Sequence, residues 1–373
     1  MSKLILHIGF HKTGSSSLQK SLLLNQEKLS ENKWSFFSLD KYGNSSNFIQ
    51  INSEKDNIQY TLSKEFESTL KNNQKENLII SGEHFSLLGR RHQSIIQSLK
   101  EVCHRYFDEI TIVVYLRRQD KLALSFKQQA SKGSKKGEMI SSLLCGHSAS
   151  ALPEITPELH EYLDYYDKLS VWSDIFCFNN LLVVDFENLI ENDICIDFSQ
   201  RLNLGFRLPP ERINSGVKKR FSLISHNLIK HQFPVESIKR IRRNLAHDNF
   251  KILPQYDEVK KFMSHFLDNN ENLSKFDINF NQDYDNYPKS RQYGFNEDDI
   301  EALFSTIKKS IGQITLTTKE INNLRDSAVA LEKIDIQKAY NLMKIAHRFR
   351  PNGSFINKKI VEYTNILNLK KSD

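Results

Sequence analysis

A short segment near the amino terminus combines residue types that bind anions. Residues 9–17 read Gly-Phe-His-Lys-Thr-Gly-Ser-Ser-Ser and follow the apolar run 4–8. This order predicts a strand, a tight turn and a helix that begins at the serines. Such a turn points backbone N–H groups and the positive end of a helix dipole at one place, which suits a phosphate. The residues expected to contact it are Lys12, Thr13, Gly14, Ser15, Ser16 and Ser17.

The position of the lysine separates this loop from the Walker A loop of nucleoside triphosphatases. In the Walker A pattern, G-x-x-x-x-G-K-[ST], the lysine directly follows the second glycine. Here Lys12 precedes Gly14, and the predicted helix opens on serines. The loop therefore uses the same interactions with phosphate without matching the triphosphatase pattern.

A second buried strand, predicted over residues 110–116, ends at a pair of arginines. Arg117 follows the strand directly, and Ser125 lies eight residues further on, in a segment with a helical pattern. The two side chains converge if the helix folds back over the strand end. A guanidinium can hold a phosphate dianion with two parallel hydrogen bonds. Arg118 should point elsewhere, because neighbouring residues at a strand end diverge.

A third strand, predicted to begin at residue 77, presents Glu83 and His84 at its carboxyl end. Ligands bind at the carboxyl ends of strands in open parallel sheets, so the three segments should face one crevice. Glu and His are the side chains that most often act as general bases. Glu83, His84 and, in the first loop, His11 are the candidates for such a base.

The first two motifs resemble those of sulfotransferases that use 3′-phosphoadenylyl sulfate (PAPS). The resemblance is closest to the bacterial cytosolic, carbohydrate-type branch, where His-Lys-Thr-Gly-[Ser/Thr]-[Ser/Thr]-Ser-Leu-Gln is common. It covers roughly residues 1–313 and implies a three-layer α/β/α fold with a central, mostly parallel sheet, like that of P-loop NTPases. A C-terminal α-helical extension would follow this core.

The resemblance also implies roles for the site residues. Lys12 would contact the bridging oxygen of the phosphosulfate, and the serines of the loop would hold the 5′-phosphate. Arg117 and Ser125 would hold the 3′-phosphate. Some glycan-modifying and bacterial members carry a Glu just after the third strand. Glu83 is therefore the preferred base, with His84 and then His11 in reserve.

The predicted activity is the PAPS-dependent transfer of a sulfuryl group to a hydroxyl (EC 2.8.2 type). The acceptor is expected to be a carbohydrate or a surface-glycan precursor, with PAPS as co-substrate and no metal required. One alternative is a P-loop-type kinase or nucleotide hydrolase, which would need a Walker lysine and a metal-binding Asp at a strand end. The other is a non-catalytic sulfotransferase-like module that binds through its helical tail.

Composition agrees with this interpretation. Hydrophobic residues make up 39% and charged residues 26% of the 373 residues, which is typical of a globular protein. No apolar run approaches the ~18 residues of a membrane span. The net charge of +7 suits anionic partners, but the basic region 216–243 contains no known nucleic-acid-binding motif, so we do not expect a nucleic-acid partner. Scattered cysteines and a first motif that begins at residue 4 predict a cytoplasmic protein without a signal peptide.

Two domains are expected. Residues 1–315 would form the PAPS-binding domain, and 316–373 the helical extension. In the tail, helical patterns cover 321–331, 336–349 and 356–367, and resemble one tetratricopeptide-like unit followed by a capping helix. We expect the extension to pack on the core or to join a partner subunit, including a second copy. Further expected elements are helices over 15–30, 162–172 and 194–202, a strand over 180–187, a lid or surface loop over 131–137, and loops with one helix over 41–75.

Overall fold

The computed structural model describes residues 2–54, 57–131, 140–148, 150–211, 219–233, 238, 253–290 and 316–369. The chain divides into two compact units, Met1–Ile300 and Glu301–Asp373. The predicted boundary between residues 315 and 316 stays a prediction, because residues 291–315 lie outside the described part. The described part also excludes residues 293–297, where the family resemblance was expected to continue. It excludes almost all of the expected loop over 131–137 and much of the basic region 216–243.

A parallel sheet forms the centre of the first unit. The strands are β1 (Lys3–Ile8), β2 (Trp34–Phe37), β3 (Ile49–Glu54), β4 (Asn57–Leu62), β5 (Asn77–Gly82), β6 (Glu109–Leu116) and β7 (Leu181–Asp185). Within the described residues, five of them pair in the order β2-β5-β1-β6-β7, and every pairing is parallel. β3 and β4 form a separate antiparallel hairpin. The predicted α/β architecture with a mostly parallel central sheet is confirmed.

Helices connect and cover these strands. The helices described in the first unit are α1 (Ser15–Leu24), α2 (Gln26–Glu31), α3 (Lys64–Asn73), α4 (Gln93–Tyr106), α5 (Gln119–Ala130), α6 (Ile140–Cys145), α7 (Pro157–Leu163), α8 (Tyr165–Phe176), α9 (Ile194–Arg201), α10 (Lys219–Lys230), α11 (Tyr256–Met263) and α12 (Leu267–Glu271). A 3-10 turn, Glu83–Leu87, follows β5.

The strand sequences explain the layers. Successive side chains of a strand point to opposite faces of the sheet. Leu4 and Leu6 of β1 are buried in a cluster that includes Trp172 of α8, whereas Ile5 is buried in a second cluster with Leu18 of α1. Both faces of the central strands are covered, so these strands are apolar almost throughout.

Two predicted helices are interrupted, and polar side chains explain both breaks. The helix expected over 15–30 ends at Leu24, because the Asn25 side chain donates to the carbonyl of Ser21 at 2.7 Å and competes with the backbone. The helix expected over 162–172 is broken at Asp164, whose carboxylate accepts the N–H of Asp167 at 3.1 Å and caps α8.

Elsewhere the predicted elements are mostly present. The strand expected over 180–187 is β7, and the helix expected over 194–202 is α9. The polar segment 41–75 carries α3, but it also carries the β3–β4 hairpin, so the expectation of loops with one helix was wrong there. In this hairpin, exposed residues alternate with more buried ones along the part of each strand whose side chains are described. The many Asn and Ser residues of the segment make this alternation hard to recognise in the sequence.

The second unit contains three described helices, as predicted: α13 (Thr318–Leu331), α14 (Ile336–Phe349) and α15 (Ser354–Leu369). Ala328, Ala339 and Ala346 are buried in its core, where small side chains let helices approach closely, whereas Ala330 is exposed. Among all described residues, no helix has the length and apolar character that a membrane span requires.

Candidate active site

The loop between β1 and α1 has an unusual backbone. Lys12 and Gly14 both have positive φ, 68° and 82°. A side chain at Gly14 would lie 3.1 Å from Ile194 and 3.2 Å from Phe186, so both space and conformation favour glycine. Left-handed residues in such a turn bring successive N–H groups to one side, which forms an anion-binding concavity.

The hydroxyl residues of the loop divide into inward and outward groups. Thr13 is fully buried, and its hydroxyl donates to the carbonyl of Phe10 at 2.7 Å. Ser15 is also buried, and its hydroxyl contacts the same carbonyl at 3.3 Å and the carboxyl of Glu83. Ser16 and Ser17 are half-buried. Hydrogen bonds from Thr13 and Ser15 to the carbonyl of Phe10 therefore hold the loop in place from inside. The first N–H groups of a helix have no acceptor within the helix, so those of α1 can bind an anion.

Glu83 lies at the end of β5 and is held through its backbone. Its N–H donates to the Ser46 hydroxyl at 2.7 Å, and its carbonyl accepts from the Ser86 hydroxyl at 2.7 Å. Burial raises the pKa of Glu83 to about 7, although the charge of Lys12 and the hydrogen bond from Ser15 act in the opposite direction. A carboxyl that titrates near neutrality can take a proton and release it again.

The two histidines beside Glu83 are held in neutral forms. Burial lowers the pKa of His11 to about 3, and the nearby His84 and Lys12 lower it further. Burial also lowers the pKa of His84, against the opposing effect of the carbonyl of Ile49. The Nδ1 atom of His84 lies 3.0 Å from that carbonyl and therefore carries a hydrogen. The structure thus brings His11, Lys12, Glu83 and His84 into one electrostatic cluster.

Tyr162 of α7 joins this cluster and was not among the predicted site residues. Its hydroxyl accepts the N–H of His11 at 3.2 Å and lies 2.9 Å from the Nδ1 atom of the same residue. It also interacts with the side chain of Ser86 and with the charge of Glu83. No motif marks this tyrosine, because 151 residues separate it from His11 and only the fold brings the two together.

Arg117 lies at the carboxyl end of β6, where it was predicted. Its Nε atom donates to Glu187 at 3.0 Å, and its guanidinium lies 5.6 Å from the centre of the Phe186 ring. Lys121 of α5 pairs with the other oxygen of Glu187 at 2.7 Å. Half-buried Ser125 lies one helical turn after Lys121, on the same face of α5. These contacts direct that face of the helix toward Arg117.

Arg118 has a different set of partners, as the alternation at the strand end predicts. It makes two hydrogen bonds to buried Asp120, at 2.8 and 2.9 Å, and donates to the carbonyls of Asn281 and Asp283. Its guanidinium also lies 4.9 Å from the Tyr284 ring centre. Arg118 is therefore part of the framework that anchors the 280s segment.

A cavity of about 250 Å³ lies at the same edge of the sheet. Lys121 and Glu187 border it, and asparagine and acidic side chains such as Asn188 and Asp185 form much of the remaining wall. It is thus next to the contacts of Arg117. Within the described ranges, no group of three or more His, Cys, Asp or Glu residues has the arrangement of a metal site.

No protein-family model and no curated protein matches this sequence. Among solved structures, the chain is similar to a sulfotransferase from Alicyclobacillus acidocaldarius, with 13% sequence identity and a TM-score of 0.35. The similarity covers 63% of this chain and 98% of that chain. At this level it carries no conclusion about what the protein does.

Proposed function

We propose that this protein is a sulfotransferase that moves a sulfuryl group from PAPS to a hydroxyl of a carbohydrate acceptor. The observation that carries the proposal is that Lys12, in the loop after β1, lies close enough to Glu83, at the end of the adjacent strand β5, for its charge to act on the Glu83 carboxyl. A cation for the leaving phosphate and a base for the incoming hydroxyl are the two groups that this reaction requires.

The transfer would proceed in line. The oxygen of the acceptor hydroxyl forms a bond to sulfur while its proton moves to the carboxylate of Glu83. The bond between sulfur and the bridging oxygen breaks, and that oxygen stays with the 5′-phosphate of adenosine 3′,5′-bisphosphate. Its developing negative charge is stabilised by Lys12 and the N–H groups at the start of α1. Most of the rate enhancement would come from positioning and electrostatics.

The 3′-phosphate is assigned to Arg117 and Ser125. The pairing of Lys121 with Glu187 supports this assignment, because it orients the helix face that carries Ser125. Arg117 is already in contact with Glu187, so a phosphate has to share the guanidinium with this carboxylate or replace it. The pair would let the site distinguish a 3′-phosphorylated nucleotide from ATP or AMP.

Nucleotide binding tests this proposal by thermal unfolding of the full chain with adenosine 3′,5′-bisphosphate, AMP, or ATP with magnesium. A ligand at a hundred times its dissociation constant adds about 2.7 kcal/mol of stability. We expect stabilisation by the bisphosphate, its loss in Lys12→Met, and its retention in Lys20→Met, which changes an exposed lysine of α1. Stabilisation by ATP with magnesium and none by the bisphosphate would contradict the proposal.

A second measurement tests the transfer itself. Mass spectrometry of glycans from cells with and without the gene should detect sulfated products that depend on the protein. Glu83→Gln should abolish these products while the bisphosphate still stabilises the variant. Full activity of Glu83→Gln would move the role of base to His84 or His11.

A further inference from the structure

Two buried polar atoms near the site have no hydrogen-bond partner among the described residues. They are Nζ of Lys168, on α8, and Oε1 of Glu161, on α7. The Lys168 residue is 1% exposed. The other oxygen of Glu161 pairs with Nε of Arg91 at 3.3 Å. Burying a charged group without a hydrogen-bond partner lowers the stability of the fold, so we expect these two atoms to bind a further polar group.

Both atoms face the same small space, above the α-carbon of Gly89. A Cβ atom at Gly89 would lie 3.4 Å from the Lys168 nitrogen and 3.7 Å from the Glu161 oxygen. Among the described residues other than its chain neighbours, these are the two atoms found within 4 Å of that position. Gly89 has φ −139° and ψ −154°, which is extended backbone that any residue adopts. The space is therefore flanked by one charged donor and one charged acceptor.

One tyrosine ring separates this space from the candidate active site. The Nζ atom of Lys168 lies 5.7 Å from the centre of the Tyr162 ring. The hydroxyl of the same ring contacts His11 and faces Glu83. The Tyr162 ring therefore has Lys168 near its face and the candidate active site at its hydroxyl.

Charge restricts what can occupy the space. Burial lowers the pKa of Lys168 to about 8, against the opposing charges of Glu161, Asp167 and Asp164, so the lysine is mostly protonated at neutral pH. An anionic group would be repelled by Glu161, and an ammonium by Lys168. A hydroxyl satisfies both atoms, because it accepts one hydrogen bond and donates another.

We propose that Lys168 and Glu161 form a subsite above Gly89 that binds a hydroxyl of the carbohydrate acceptor next to the one that is sulfated. The hydroxyl oxygen accepts from Lys168, and its hydrogen is donated to Glu161. The exposed side chain of Arg91, which contacts Glu161, is the movable group at this edge. The subsite rests on the proposed function, since it specifies the acceptor of that reaction. A bound water has the same chemistry, and the experiment separates the two.

Binding of a simple polyol tests the subsite without any turnover. The probe is methyl α-D-glucopyranoside, titrated against the full chain and followed by saturation-transfer NMR. Gly89→Ala fills the space with a methyl group at ordinary contact distances and leaves both charges in place. Lys168→Met removes the donor and keeps most of the volume. Arg90→Ala is the matched control, because this exposed neighbour pairs with Asp167 instead.

We expect the dissociation constant of the glycoside to rise at least tenfold in Gly89→Ala and Lys168→Met and to change less than twofold in Arg90→Ala. Unchanged binding in Gly89→Ala, or no binding to the wild type, would overturn the subsite and leave the space to water or to packing. Bisphosphate stabilisation, measured on the same samples, reports on the proposed function separately. Its absence in the wild type contradicts that function whatever the glycoside does.

Discussion

The replacement of Glu83 by Gln should make the protein more stable at neutral and alkaline pH. Burial raises the pKa of this carboxyl from 4.5 to about 7 in the folded protein. The folded state therefore holds the proton more tightly than the unfolded state. Between these two values, the free energy of unfolding of the wild type falls as pH rises, because the unfolded chain ionises first.

The size of the effect follows from the shift. The pKa rises by about 2.5 units, and one unit corresponds to about 1.36 kcal/mol, so the ionised carboxyl destabilises the fold by about 3 kcal/mol above pH 8. This value is an upper bound, because solvent reaches part of the Glu83 side chain and screens its charge. Gln cannot ionise and retains an oxygen that can accept from Ser15. The variant should therefore gain up to this amount at pH 8 and almost nothing at pH 4.5.

Urea unfolding of both proteins at several values between pH 5 and pH 8.5 measures this difference. Glu31→Gln, which changes an exposed glutamate on α2, is the matched control and should show no gain that grows with pH. A gain for Glu83→Gln that is the same at every pH would refute the reasoning, because the buried charge would then not be its cause. Turnover of the wild type should rise through the same titration and be half-maximal near pH 7.

Three further substitutions test other parts of the structure. Gly14→Ala places a side chain at φ 82° and should lower the stability by about 1–3 kcal/mol, measured by thermal unfolding. Asp120→Asn leaves the guanidinium of Arg118 without its buried carboxylate and should cost about 3–5 kcal/mol in urea, whereas a loss below about 1 kcal/mol would show that the pair is dispensable. Glu187→Gln removes the negative charge that competes for Arg117 and keeps an oxygen that can accept from Lys121, so it should tighten bisphosphate binding several-fold without changing AMP binding; weaker binding would mean that Glu187 positions the arginine.

Local sequence patterns were sufficient wherever one segment determines its own structure. The apolar runs before residues 9, 83 and 117 became β1, β5 and β6, because parallel strands buried on both faces need continuous apolar sequence. The tail helices followed from their spacing of apolar residues in the same way. The β3–β4 hairpin could not be predicted in this way, because its strands are polar and are covered on one side only.

The environment of the site residues depends on contacts between distant segments. Spacing alone nominated Glu83, His84 and His11, but it does not indicate which of them is buried or which nitrogen carries a hydrogen. Local patterns do not indicate Tyr162 for the same reason. Its contact with His11 forms only because α7 packs against the loop after β1. The roles assigned to the site residues in catalysis and nucleotide binding stay predictions.

The ionisable groups around the loop differ in how well their charges are compensated by neighbouring groups. This difference indicates which of them can exchange a proton near neutral pH. Arg118 is buried with a carboxylate and two carbonyls and can be displaced only at a large cost in stability. His11 and His84 avoid charge because burial lowers their pKa values. Glu83 faces Lys12, but their attraction does not compensate for its burial, and the carboxyl is left near its midpoint at pH 7. Because a group at its midpoint gains or loses a proton at the smallest cost, we propose Glu83 rather than either histidine as the base.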